Sequence, residues 1–426
     1  MEREDGRAIL SKFAPRRPDD LSRVNAGDSA VNARGRRSAL RGARLLAALA
    51  TAGLTLATGR AGAAGSQSVS LVPAGPVETV FRWKDAGCPA DFIPDSPARA
   101  WRRPDGSAML IAAHYGNGSF SGPSLDALQP RCRVRTGGEE DADPARFDDR
   151  FWVQALYPVP DGRLLALVSH EYMGKRHPGR CRFADAPGPR CWYSAILAAT
   201  AGPDGLSFTL RPRAERVVAA PPVPYDPDRA PRTGFFTTTN IVRDGAWLYA
   251  LSWAEYPGVR GNCLLRAPVA TPEGPWLARR GGAFASRLPG VYDQGEPGGC
   301  DPVGTDRQLG ILRSVVRIGE TGPFAGVFSV ANGASRPPGI YYSLSPDLVT
   351  WGEPRLLAPL RPWFGTMECQ AFYDYPSLID PQSPSPVFDV AGRTLRLYLT
   401  RFNWTSCDRG LDRDLVMLPV RVETTP

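Results

Sequence analysis

The sequence predicts an all-β protein, a five-bladed β-propeller of four-stranded antiparallel blades. One reason is composition: among 426 residues, 44 Gly and 43 Pro accompany 10 Trp and 13 Tyr. Turn formers and aromatics in that combination favour short strands over helices, and no amphipathic helical run of useful length follows the first segment. The second is a repeat, a turn followed by an apolar strand that ends in polar or aromatic residues, found five times in one register.

The repeat fixes the order of elements. "RRPDGSAMLIAAHYGNG" (102–118), "PVPDGRLLALVSHEYMG" (158–174), "IVRDGAWLYALSWAEYPG" (241–258), "GETGPFAGVFSVANGAS" (319–335) and "DVAGRTLRLYLTRFN" (389–403) align on Asp105, Asp161, Asp244, Thr321 and Ala391. Nine positions later stand His114, His170, Trp253, Val330 and Thr400, so the strands start and end together. Three of the turns read x-D-G, a hairpin signal. A strand precedes each copy, at 98–103, 150–159, 234–242, 309–318 and 375–380. A third strand follows, as in "GIYYSLSPDLVTWGEPRLL", and then a looser fourth.

Radial repetition of such units leaves only short sheet edges exposed. Closure is expected where "VETVFRW" (77–83) pairs with "VMLPVRV" (416–422). A pair of sandwiches would not demand in-register repeats, and a solenoid would not need the long insertions at 175–190, 211–233 and 285–308. Such loops on one face of a scaffold are where function usually sits.

Residues 1–63 read as an export signal with an N-terminal extension, and 64–426 as a single propeller domain. Arg36 and Arg37 precede the apolar run 45–58 and the small residues "AGAA", the layout of a cleaved signal of either twin-arginine or general secretory type. Both routes place the mature chain outside the cytoplasm, secreted or periplasmic. The 14-residue apolar run is short for a membrane span. The net charge of +8 arises largely in that segment, which holds 12 basic and 6 acidic residues; the remainder has 39 and 37. No basic, aromatic-interleaved stripe survives to bind nucleic acid.

The cysteines number eight, none in C-x-x-C, and only three histidines are present, which disfavours zinc. In an exported chain the even count suggests disulfides. Cys181–Cys191 would close the loop "CRFADAPGPRC"; neighbour pairing would give 88–132, 263–300 and 369–407, but the sequence does not choose among the possible connectivities. No metal or other cofactor is expected, with a structural Ca²⁺ left open, and the mature chain is expected to be a monomer.

The five units resemble those of the five-bladed propeller glycosidases, the arabinanase, xylosidase and fructosidase group. "YYSLSPDLVTWGEP" is similar to their recurrent S-x-D-L-x-x-W hairpin, a structural motif in which Asp347 ties a turn and Trp351 packs. The resemblance implies carbohydrate as the partner and glycoside hydrolysis, which uses one protonated carboxyl and one carboxylate across a sugar. By position it implies Asp95 in "FIPDSPARAW" as base or nucleophile. Asp149, beside Asp148 in "RFDDRFW", and Asp374 in "FYDYPSLID" would tune the charge. The acid is Glu171 in "SHEYMG" or Glu255 in "SWAEYPG", with Glu368 in "TMECQ" a weaker candidate. His114, His170, Arg401 and Trp253 are the expected substrate contacts, Arg401 clamping a carboxylate-bearing sugar or a neighbouring Asp. Trp101, Trp192, Trp363 and Trp404 are further stacking candidates. The third unit departs from the family, showing "TTTN" at 237–240 where a carboxylate is usual. The alternative is therefore a non-catalytic propeller that binds a glycan or a protein partner in the cell envelope.

Overall fold

The computed structural model describes residues 68–425, apart from 133–134, 137, 187, 189, 203, 230, 294, 332–334, 363–368 and 408–409. The proposed export segment, Trp363 and Glu368 lie outside the described residues. Strands dominate, and the only α-helix among the described residues is the single turn Arg213–Arg216.

The strands follow one another as antiparallel runs. Run A is Pro94–Arg102, Ala108–Ala113, Ser119–Gly122 and Gln129–Arg131. Run B is Arg150–Pro158, Leu164–Met173, Trp192–Ala201 and Ser207–Leu210. Run C is Thr233–Thr238, Trp247–Tyr256, Val259–Pro268 and Leu277–Arg280. Run D is Ser314–Ile318, Phe324–Val330, Gly339–Ser345 and Arg355–Ala358. Run E is Ala371–Ile379, Thr394–Asn403, Arg413–Thr425 and, from the start of the domain, Ser68–Pro73. The long last strand takes both N-terminal strands, Leu71 opposite Val422 and, in Glu78–Phe81, Glu78 opposite Met417.

Turn chemistry sets the hairpins. Asp105 accepts the Ser107 N–H at 2.9 Å and Asp161 the Arg163 N–H at 3.0 Å. The following Gly106 and Gly162 have φ of 82° and 86°, which an L side chain rarely adopts. In run D the Asp347 carboxylate accepts the Val349 and Thr350 N–H groups at 2.9 and 2.6 Å. Trp351 is buried there and donates Nε1–H to the Leu348 carbonyl at 3.0 Å.

Two expectations about strands change. The first strand of run D begins at Ser314 instead of 309, because Asn262 captures the backbone just before it. Its Nδ2 donates to the Gly310 carbonyl and its Oδ1 accepts the Leu312 N–H, groups that would otherwise enter a ladder. Runs B and C are also not separate sheets: Tyr193 and Ser194 pair in parallel with Thr233 and Gly234. A Cβ at Gly234 would lie 2.0 Å from the Ser194 carbonyl oxygen, so the junction depends on glycine.

Packing follows the period of two. In Leu164–Met173, Leu165 and Leu167 belong to the core shared with run C, while Leu164, Ala166 and Val168 belong to the core shared with run A. A strand buried on both faces reads as a continuous apolar run, as this one does. Corresponding apolar layers lie between C and D, between D and E, and between E and A. Neighbours are also tied by polar bonds. Asn117 bridges A to B through the Phe151 carbonyl and Val153 N–H, and Asn240 joins C to D through both backbone groups of Val315. Ser314 links D to E at the Leu378 N–H, and Ser377 links E back to A at the Ala98 carbonyl. The order of neighbours thus closes on itself.

Arg99 occupies the middle of this arrangement. It is 3% exposed, and its guanidinium donates to the carbonyls of Ala98, Gln154, Thr238 and Arg313 and to the Ser377 hydroxyl. Those acceptors come from the first strand of each run or the residue beside it. Burial, with Arg313 nearby, lowers the guanidinium pKa to about 9.

Four disulfides are present, Cys88–Cys132, Cys181–Cys191, Cys263–Cys300 and Cys369–Cys407, each joining sequence neighbours. They suit an oxidising compartment outside the cytoplasm. No helix among the described residues is long and apolar enough to cross a membrane.

Candidate active site

At one end of the runs, first strands begin and second strands finish, so their terminal side chains meet. Asp95 enters from the start of Pro94–Arg102, and His114 directly follows Ala108–Ala113. Arg150 and Glu171 face each other across the first hairpin of run B, as Gly234 and Glu255 do in C and Tyr373 and Arg401 in E.

Asp95, 17% exposed in its side chain, receives bonds from Arg413 and, at 3.3 Å, from the Tyr375 hydroxyl. His114 Nε2 lies 3.6 Å from its other oxygen. Burial raises the Asp95 pKa, opposed by the Arg413 charge and by hydrogen bonds from Tyr375, Arg413 and Trp152. Its carboxylate form therefore keeps dedicated partners. Glu171 is half-buried and has no hydrogen-bond partner of its own among the described residues. Its carboxyl is pushed up to about 8, first by burial and then by the charge of Asp95, against Arg150 and Arg232. The two groups thus lie within electrostatic reach of one another, one protonated near neutrality and the other held by a cation.

His114 packs edge-on against Tyr115 and Trp152, at 4.3 and 5.7 Å between ring centroids. Its pKa falls to about 4 through burial and the positive charges of Arg413, Arg150 and Arg176. It is a neutral imidazole at physiological pH, a hydrogen-bonding group instead of an acid.

Other expected site residues take different roles. His170 is fully buried, and its Nε2 accepts the Asp149 N–H at 3.1 Å. Burial and Arg216 lower its pKa to about 3, so it is a neutral core residue that no sugar can touch. Asp149 is 1% exposed and bonds His177 Nε2 at 3.0 Å and the Met173 N–H at 3.2 Å. Asp374 has no exposed surface and accepts from the Ser329 hydroxyl and Tyr375 N–H. Burial raises its pKa, with Arg313 opposing. Neither carboxyl can touch a solute; they orient neighbouring groups and contribute charge, as Asp149 does to Glu171.

Glu255 is bound by Arg232 and by the Trp253 Nε1–H, with Arg260 at 3.7 Å. Those partners engage its carboxyl group. Trp253 is committed to Glu255 and only 9% exposed. Arg401 pairs with Asp414 at 2.5 Å and bonds Asn403, so of its two readings the neighbouring Asp prevails. Trp101 and Trp404 are buried, and Arg232 lies 5.4 Å over Trp192. None of these is an open sugar platform. In the third unit, Thr237 accepts from Arg313, and Thr238 and Thr239 are buried.

The sequence reading missed Arg413, Arg150, Tyr375 and Trp152. No local motif marks them, since Arg413 is 318 positions from Asp95. A weak signal existed for Arg150 and Trp152, which flank Phe151 at the start of a first strand. Among the described residues, no group of three His, Cys, Asp or Glu side chains could hold a metal ion.

No family model matches the chain, and no curated protein matches it. Among solved structures, it is similar to one assigned to an exo-β-1,3-galactanase of Bifidobacterium bifidum, at 12% identity and a TM-score of 0.46, over 83% of this chain and 97% of that one. It is also similar to the α-L-arabinanase of Cellvibrio cellulosa in complex with arabinohexaose, at 13% identity and a TM-score of 0.44, over 77% and 92%. The α-L-arabinofuranosidase of Podospora anserina in complex with cellotriose aligns at 10% identity and a TM-score of 0.44, over 82% and 95%.

Proposed function

We propose that runs A to E are the blades of a five-bladed β-propeller and that the protein is an exported glycoside hydrolase. The ring reading is supported by the closed order of neighbours and by Arg99, one side chain that reaches acceptors on every run. The observation that carries the catalytic reading is the pairing of Glu171 with Asp95, two carboxyls whose environments drive them to different protonation states.

Glu171 is the general acid. It is protonated at neutral pH and delivers its proton to the glycosidic oxygen as the bond to the anomeric carbon breaks. Asp95, its charge stabilised by Arg413, acts on the opposite face. As base it takes a proton from the attacking water; as nucleophile it bonds the anomeric carbon directly. Tyr375 and Arg413 hold Asp95 in place with His114 beside it, and Asp149 and Asp374 tune the field from below.

A hydrolysis screen across plant and microbial glycans tests this, with Asp95→Asn and Glu171→Gln as controls. The expected result is a glycan cleaved by the wild type and slowed by about 10²–10⁴-fold in Glu171→Gln. Cleavage that survives both substitutions refutes the assignment.

A further inference from the structure

We infer that Arg150 receives a carboxylate of the bound sugar, so that the substrate is a uronic-acid-containing glycan; this rests on the glycoside reading of the same site. Arg150 begins the first strand of run B and stands opposite Glu171 in the hairpin register. Its guanidinium carbon lies 5.2 Å over the Tyr115 ring and 5.7 Å over Trp152, two rings that pack edge-on against each other and hold it by cation–π contact. The edges of the guanidinium plane carry the N–H donors, and none makes a hydrogen bond among the described residues. Nε is shielded from solvent without a partner. The nearest carboxylate oxygen, Asp149 Oδ1, is 3.9 Å from Nε, too far for a hydrogen bond, while the other oxygen, Oδ2, takes His177 and the Met173 N–H.

The other arginines at this end are spent. Arg413 serves Asp95, Arg232 serves Glu255, Arg401 serves Asp414 and Arg313 serves the Thr237 hydroxyl. Arg176 pairs with Glu140 at 3.5 Å. Glu171, the remaining carboxyl opposite Arg150, is neutral near pH 7 and cannot balance it. A guanidinium with its outer edge unused, fixed by aromatic rings and only 11% exposed, is built to take a planar two-oxygen anion. A neutral sugar would leave that charge with no hydrogen-bonded counterion; a uronate supplies one beside the acid that cleaves its linkage.

The probes are short oligosaccharides of galacturonate and mannuronate, each beside its carboxyl-reduced, neutral counterpart. Binding is read by calorimetry on the wild type, Arg150→Gln and Arg150→Lys, with thermal melts to confirm folding. At least one acidic oligosaccharide is expected to bind about tenfold or more tighter than its reduced form. Arg150→Gln erases that preference, and Arg150→Lys keeps its sign at reduced size. Equal affinity for the acidic and reduced forms, no binding of any acid, or a preference that survives Arg150→Gln overturns the inference. Hydrolysis is scored in the same samples with Asp95→Asn as control. Arg150-dependent binding without cleavage removes the hydrolase reading and leaves this one. Asp95-dependent cleavage of neutral oligosaccharides without the preference does the reverse.

Discussion

Substituting Glu171 by Gln should make the fold more resistant to alkaline conditions. The Glu171 carboxyl has an ordinary value of 4.5 and is pushed up to about 8 in the folded protein. Below the ordinary value both folded and unfolded chains hold the proton and the shift has no effect. Above it the unfolded chain ionises while the folded chain does not, so stability falls as pH rises, until the folded group also ionises near 8. Each unit of displacement corresponds to about 1.4 kcal/mol. The stretch from about pH 6 to about pH 8 therefore costs the wild type roughly 2–3 kcal/mol through this one group. Gln has the same shape and does not titrate. Urea unfolding of both proteins with disulfides intact, at several pH values, isolates the effect, because every other titrating group is common to the two. The gap in stability should widen by that amount over the interval, with Glu171→Gln the more stable on the alkaline side. Parallel stability curves would show that Glu171 is ionised in the fold, and the proton donor would have to be sought elsewhere.

The same shift sets the rate profile. Activity on a cleaved glycan should fall on the alkaline side near pH 8 as Glu171 loses its proton, and on the acid side above the usual carboxylate range as Asp95 gains one; an alkaline limb unchanged in Glu171→Gln would contradict this. Arg99→Lys should destabilise by about 3–5 kcal/mol in thermal or urea unfolding, because an ammonium cannot reach the acceptors a guanidinium fork spans. Asp347→Ala should cost about 1–2 kcal/mol through the lost turn bonds, with glycan binding unchanged, since that hairpin joins the outer strands of run D. Replacing Cys88 and Cys132 together by Ser should cost about 4 kcal/mol and the Cys181–Cys191 pair about 3 kcal/mol, as loops of 44 and 10 residues separation release different chain entropy.

Legibility in the sequence followed the range of the interaction. Strand order was readable because alternation and x-D-G turns are local: Asp105, Gly106 and Ser107 make their own bonds wherever the chain goes. Cys181–Cys191 was readable for a related reason, since it closes a short loop, whereas the partners of the other six cysteines were open in the sequence and are decided by the fold. The beginnings of first strands and the ends of second strands were also a sound place to look, because hairpin register brings those positions to one end whatever the partners are. What surrounds a side chain there was not readable. Glu171 and Glu255 occupy comparable places on their strands, yet Arg232 and Trp253 satisfy Glu255, while Glu171 is left without a bond. His114 and His170 align nine positions after their turns, yet His170 is sealed beneath Phe147 and Asp149 while His114 stands beside Asp95.

The sequence by itself therefore determined the all-β class, the repeated hairpins, the joining of the first and last strands and the Cys181–Cys191 loop, because propensity, period and turn geometry act over a few residues or repeat along the chain. Only the tertiary structure decided which polar side chains are buried, that Arg99 gathers the runs around one guanidinium, and that Arg413 rather than Arg401 serves Asp95. Protonation, burial and charge pairing are properties of what surrounds a group, and those neighbours arrive from strands hundreds of positions away in the chain.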